Sequence, residues 1–176
     1  DTDTISNEQW IIDNNDKMIL KIIKWNPGIY KLFDEIITNA SDECQRSNLV
    51  KTIKVNIKEN EISVFNDGNG IPIKIHKEHN IYVPELIFGN LLSSSNYDDS
   101  KKRTTGGLNG LGAKLTNIYS TEFTIETVCA GQKYIQTFKN NLSEIEKPVI
   151  TKVSDKTKEY TKISFIPDLK RFNLNN

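Results

Sequence analysis

Apolar residues recur along this chain with two periods, and the change of period marks out its elements. Leu32, Phe33, Ile36, Ile37, Ala40 and Cys44 return every three to four positions, the spacing of one face of an α-helix. Asn26-Pro27 supplies an N-cap and a proline suited to a first turn, so a helix is predicted from about Gly28 to about Arg46. Elsewhere the period is two. Met18, Leu20 and Ile22 alternate with Ile19, Lys21 and Ile23 in a strand predicted over Met18–Lys24. Ile53, Val55 and Ile57 alternate with Lys54, Asn56 and Lys58, which predicts a half-buried strand, and a turn at Asn60 leads to a second strand at Ile62–Phe65. A short helix after Pro84, a helix over Ala113–Tyr119, and strands at Glu122–Cys129, Lys133–Phe138 and Tyr160–Ile166 complete the pattern. Ser93–Gly112 has no apolar period and is rich in glycine, which is typical of a functional loop or lid. The expected architecture is α+β: a mixed, mostly antiparallel sheet with helices on one face and the ligand between the two layers.

Length and charge narrow the function. With 176 residues the chain reads as one domain. Lys+Arg and Asp+Glu both number 23, whereas a domain holding DNA by itself would carry a basic excess. Any DNA is therefore expected to be held mainly by other parts of a larger protein. The polar ends at Asp1 and Asn176 read as cut edges. Cys44 and Cys129 are too few and too isolated for a disulfide framework, which points to a reducing, intracellular compartment. No apolar run reaches membrane-spanning length and no signal peptide opens the chain.

Three segments carry chemistry. On the first helix Glu35, Asn39, Asp42 and Arg46 fall within one polar arc opposite the apolar stripe. A solvated face is the ordinary explanation, but Asn is a poor mid-helix residue. Glu35 and Asn39, four apart, place side by side a carboxylate that can take a proton from water and an amide oxygen suited to Mg²⁺. Asp67-Gly68-Asn69-Gly70 follows a strand directly; it is either a tight turn or a place where backbone approaches a flat base while Asp67 accepts a hydrogen bond from an exocyclic amine. Gly107-x-x-Gly110-x-Gly112-Ala113-Lys114 exposes backbone N–H groups at a helix start, with Lys114 one turn in. That arrangement suits phosphate, a flexible surface loop being the alternative. It is not a Walker loop, because Ala113 and Leu115 break the G-x-x-x-x-G-K-[ST] pattern, and no βαβ unit surrounds it. His76-Lys77-Glu78-His79 is set aside as a zinc site for want of further Cys or His. Lys101-Lys102-Arg103 reads as a solvated loop, and no Ser-His-Asp arrangement has local support.

These segments resemble the N-terminal ATPase domain of eukaryotic and viral type II DNA topoisomerases, within the GHKL superfamily of gyrase, ATP-driven chaperones, MutL-type repair proteins and histidine kinases. Beyond the superfamily signature, the resemblance rests on Tyr30-Lys31-Leu32-Phe33-Asp34-Glu35-Ile36, Ile71-Pro72, Ile81-Tyr82-Val83-Pro84-Glu85-Leu86-Ile87-Phe88-Gly89 and Ser94-Ser95-Asn96-Tyr97-Asp98-Asp99. Thr105 to Leu115 and Tyr160-Thr161 before Pro167-Asp168-Leu169 extend it. It implies a Bergerat-type two-layer α/β sandwich that binds ATP with Mg²⁺. Glu35 would be the general base and Asn39 the Mg²⁺ ligand. Asn66, Asp67 (at adenine), Asp42 and Thr161 would contact nucleotide. Ser94, Ser95 and Asn96 would meet ribose and phosphate. Gly107, Leu108, Asn109, Gly110, Leu111, Gly112 and Ala113 would wrap the triphosphate, with Lys114 neutralising it catalytically. The resemblance further implies a homodimer formed through an N-terminal gate, DNA strand passage, and a nucleus or viral factory as compartment. Leu108 and Leu111 depart from the Arg and Tyr usual in the eukaryotic enzymes. On this resemblance the N-terminal strap is expected to be missing or truncated and the transducer domain with its phosphate-binding lysine to lie outside these residues, so weak or no turnover is expected of them alone. A chaperone- or repair-type ATPase and a catalytically silent dimerisation module are the rival readings.

Overall fold

The computed structural model describes residues 2–47, 51–90 and 111–174, with backbone alone for 46 and 47. The chain opens with an antiparallel hairpin, β1 (Ile5–Ile12) and β2 (Met18–Trp25), which pairs with no other described strand. Asp13 closes its turn by accepting the N–H groups of Asn15 and Lys17. The sequence pattern located β2 and missed β1, whose run Ser6-Asn7-Glu8-Gln9 hides the alternation.

Helix α1 spans Pro27–Ser47, and Asn26 caps it as expected, its Oδ1 accepting the Ile29 N–H at 3.1 Å. Then come β3 (Ile53–Ile57), β4 (Ile62–Asn66), α2 (Val83–Gly89), α3 (Leu111–Ile118), β5 (Ser120–Cys129), β6 (Gln132–Lys139), β7 (Glu144–Ile145), β8 (Val149–Lys152) and β9 (Tyr160–Pro167). A 3-10 turn over Leu169–Phe172 ends the described chain. The main sheet runs β3-β4-β9-β5-β6-β7, with β8 also on β6, and every pairing among the described residues is antiparallel. The two short strands β7 and β8 carry no readable alternation in sequence.

Cross-strand register explains the core. One row across the sheet is Ile62, Phe165, Phe123 and Phe138; the next is Val64, Ile163, Ile125 and Gln136. Leu32, Ile36 and Ala40 of α1, Phe88 of α2 and Ala113 of α3 join these apolar side chains in one buried cluster, so the helices cover a single face, as expected. The apolar side of β3 does not behave as predicted. Val55 and Ile57 are 40% and 67% exposed, because β3 is the sheet edge and lies beyond the helical cover.

Candidate functional site

The third row on the same face is polar. Asn66 of β4 stands opposite Thr161 of β9, Thr161 opposite Thr127 of β5, and Thr127 opposite Tyr134 of β6. All four are buried or nearly so. Buried polar groups need partners, and here they find one another and the neighbouring loop. Thr127 Oγ1 accepts the Ile71 N–H at 2.9 Å, donates to the Tyr160 carbonyl at 2.9 Å, and lies 3.0 Å from Thr161 Oγ1. A hydroxyl has one proton. With that of Thr127 committed to Tyr160, Thr161 is the donor to Thr127, and the Thr161 oxygen keeps its lone pairs for the cavity it lines.

The loop after β4 is clipped onto this row. A Cβ at Gly70 would stand 1.8 Å from the Val128 carbonyl oxygen, so only glycine permits the approach. Glu159 clamps the same loop, one carboxylate oxygen accepting the Ala130 N–H and the other the Gly70 N–H, each at 2.9 Å. The Ala130 bond above all, then the Gly70 bond, hold the Glu159 carboxyl below the usual carboxylate range. A depressed folded-state pKa contributes stability above the ordinary value of 4.5, which is lost as pH falls through the lowered value. Thermal melts between pH 7 and pH 3 should therefore show a steeper loss below about pH 4.5 in the parent than in Glu159→Gln; parallel curves would rule the clamp out as an acid-sensitive element.

A cavity of about 210 Å³ lies between this row and the helices, nearer a base-sized recess than the ~300–1,000 Å³ of a full ligand cleft. Asn39, Asp42, Asn66, Asn69 and Thr161 give it polar groups, while Ile36, Val64, Ile71, Ile87, Phe88, Ala113 and Ile163 wall it with apolar surface. Two of the expected contacts, Asn66 and Asp67, separate here. Asn66 is 7% exposed and turned to the cavity, its Oδ1 accepting the Gly68 N–H at 3.2 Å. Asp67 turns away and accepts the backbone N–H groups of Lys51 and Thr52, both at 2.8 Å. Those bonds, Thr52 first, lower its carboxyl pKa. The reading of Asp67 as the base-recognising carboxylate is corrected accordingly: its acceptor capacity ties down the approach to β3. Asn66 and Asp67 are neighbours before the same glycines, and only their hydrogen bonds in the fold tell them apart.

The polar arc of α1 divides between two hollows. Asn39, exposed at the rim, and the buried Asp42 belong to the first cavity. Glu35 lines a neighbouring hollow of about 520 Å³ with Lys31, Gly112, Leu115 and Phe172. Adjacent residues at the start of α3 join the two, Ala113 lining the first and Gly112 the second. A Cβ on Gly112 would fall 1.7 Å from Glu35 Oε2, so the carboxylate lies directly against the first turn of α3. Lys31 Nζ lies 2.8 Å from the Glu35 carboxylate and 2.8 Å from that of Asp34; these bonds, Asp34 first, raise the lysine's pKa.

Leu111 is 49% exposed and Ala113 3%. Lys114 is 4% exposed and lines neither hollow; burial alone lowers its pKa, with no carboxylate among the described residues to offset it. Ser94, Ser95, Asn96, Gly107, Leu108, Asn109 and Gly110 lie outside the described residues. Reading the sequence missed Thr127 and Glu159, which position the loop. A threonine in mid-strand and a glutamate before a strand give no signal until register and loop contacts are known.

Against known proteins, residues 26–171 match the family model described as histidine kinase-, DNA gyrase B- and HSP90-like ATPase. The chain is 55% identical over 172 residues to DNA topoisomerase 2 of Meyerozyma guilliermondii, covering 95% of this chain and 12% of that protein. It is 52% identical over 167 residues to DNA topoisomerase 2 of Acanthamoeba polyphaga mimivirus, covering 92% and 13%. The chain thus spans about an eighth of the length of these relatives. Its fold superposes on the ATPase region of Saccharomyces cerevisiae topoisomerase II, bound to dexrazoxane, with a TM-score of 0.92 and 51% identity, covering 99% of this chain and 47% of that one.

Proposed function

We propose a function from one premise: this chain belongs to the family of histidine kinase-, DNA gyrase B- and HSP90-like ATPases. It acts as the nucleotide-binding part of a type II DNA topoisomerase, taking ATP between α1, the start of α3 and the polar end of the sheet. The observation that carries this reading is the polar row ending at Asn66 beside a helix start against which Glu35 is packed.

Adenine fits the small cavity. Its faces would meet Ile71, Phe88 and Ile163, and its amine would donate to the Asn66 oxygen, which has a lone pair left after accepting from Gly68. The phosphates would lie toward the N-terminus of α3, where unpaired N–H groups and the helix dipole favour negative charge. There the buried Lys114 ammonium would gain the counter-charge that it lacks among the described residues. Glu35, at the same helix start, would accept a proton from the attacking water. The residues suit Mg²⁺: Asn39 and Asp42 present hard oxygen donors at one wall of the cavity, and Asn39 would hold the ion. When bound, Mg²⁺ neutralises charge on the phosphate oxygens.

Calorimetry with a non-hydrolysable ATP analogue tests the site. Asn66→Ala should weaken binding about tenfold, the worth of one well-placed hydrogen bond, whereas Asp67→Ala should lower thermal stability and leave affinity alone. The reverse result would return base recognition to Asp67. Removal of Mg²⁺ should reduce the heat of binding; a module without a working site would show no such dependence.

The hairpin supports a homodimer. Trp10, Ile12, Met18, Leu20 and Ile22 share one face of β1–β2 and are 50–67% exposed, an apolar surface of the kind that marks a protein interface. A second copy would cover it when nucleotide binds. Sedimentation with and without the analogue checks this, and a persistent monomer would remove the dimer from the proposal. DNA would be held chiefly by other parts of the protein, in keeping with a net charge of zero. The compartment would be intracellular, a nucleus or a viral factory; among the described residues no helix is long and apolar enough to cross a membrane.

A further inference from the structure

The segment between β4 and α2 holds a second cluster of ligand-bearing side chains, none of which lines the nucleotide cavity. We propose that His76, Glu78 and His79 form a site for a divalent transition-metal ion of the zinc class. The sequence argues against this, because two histidines alone do not complete a zinc site. The fold changes that count by turning Glu78 toward the same point. One donor atom from each of the three residues lies within 4.8 Å of the others, and the two imidazole rings stack at a centroid distance of 5.0 Å, 27° from parallel.

The backbone that presents them is closed on itself. The His76 N–H donates to the Ile81 carbonyl at 2.8 Å, the Asn80 N–H to the His76 carbonyl at 2.9 Å, and the Val83 N–H to the Lys74 carbonyl at 2.9 Å. Asn80 takes the left-handed conformation that the turn needs, with φ of 53°. Three ligands held on one tight turn require little ordering on binding.

An independent observation points to a ligand. His76 Nδ1 is buried and has no hydrogen-bond partner. A buried ring nitrogen without a partner is unfavourable, and direct coordination, or a hydrogen bond to a water on the metal, removes the penalty. The donor set selects the class of ion. Imidazole favours Zn²⁺ and its neighbours over Mg²⁺ or Ca²⁺, and two His with one Glu match the three-ligand zinc pattern that keeps a fourth position open. Glu78 is exposed, so its carboxylate is free to close the site by a change of rotamer.

The test titrates Zn²⁺ into metal-free, nucleotide-free protein by calorimetry and repeats the titration with Co²⁺ followed by visible absorption. One equivalent of Zn²⁺ per chain is expected, with the absorption of a four-coordinate Co²⁺ ion. His79→Ala and Glu78→Gln, both on the turn, should each weaken Zn²⁺ binding by at least the ~10–100-fold that loss of even an outer partner costs, with unchanged melting of the metal-free protein. Asn39→Ala should leave the zinc heat intact, which separates this site from the nucleotide site and keeps the outcome independent of the ATPase reading. Absence of stoichiometric Zn²⁺ binding, or binding unaltered in His79→Ala and Glu78→Gln, would overturn the proposal.

Discussion

Glu35→Gln in the full-length protein is expected to lower ATP turnover by about 10²–10⁴-fold, the span attributed to a positioned general base, while nucleotide affinity stays as it was. The amide matches the carboxylate in shape but cannot take a proton from water. The prediction rests on where Glu35 lies, against Gly112 at the head of α3, and on Lys31, whose ammonium 2.8 Å away keeps the carboxylate oriented. Gly112→Ala provides a companion test that leaves Glu35 itself in place. The added methyl would meet Glu35 Oε2 at 1.7 Å. The carboxylate is the free end of a flexible side chain, so it would swing aside rather than break the fold. Both variants should melt like the parent and release phosphate far more slowly. A parent-like rate in Gly112→Ala would mean that the position of Glu35 beside α3 is irrelevant to turnover, and a parent-like rate in Glu35→Gln would remove it as the base.

Gly70→Ala is expected to cost about 3 kcal/mol of stability, the upper end of what overpacking a tight site usually costs. For a domain of this size that corresponds to a fall of roughly 6–12 °C in melting temperature. The clash at 1.8 Å is with the Val128 carbonyl, which belongs to the middle of the sheet and cannot rotate away. Relief has to come from the loop, and moving the loop breaks the Gly70–Glu159 bond and then the Ile71–Thr127 bond. Ile71 would leave the wall of the cavity, so nucleotide binding should weaken together with stability. Scanning calorimetry and the analogue titration measure the two effects on one sample. A variant that melts normally and binds normally would show that the close approach is not needed in solution.

Several elements were legible because their signals are local. The apolar stripe of α1, the Asn26 cap and the alternation in β5, β6 and β9 each follow from a few neighbouring residues and the geometry of one element. The one-turn spacing of Glu35 and Asn39 was legible for the same reason, but not that α1 presents them to two neighbouring hollows. The strand β1 was obscured by a polar run, and β7 and β8 are too short to show a period. The exposure of Val55 and Ile57 could not be read from their alternation, because edge position belongs to the sheet and not to the strand.

By itself, then, the sequence determined which residues could carry chemistry, and where the helices and the longer strands other than β1 lie, since both depend on residue type and short spacings. Tertiary structure decided which of those residues face one another. It sent Asn66 into the cavity and its neighbour Asp67 onto the backbone of Lys51 and Thr52, a choice of side set by the period-two pleat and the pairing of β4 with β9. It placed Glu35 against Gly112, more than seventy residues away in the chain, and it gathered Thr127 and Thr161 into one polar row. Contacts of that range form only when the register of the sheet and the packing of helices are settled together, and no local pattern of residues records them.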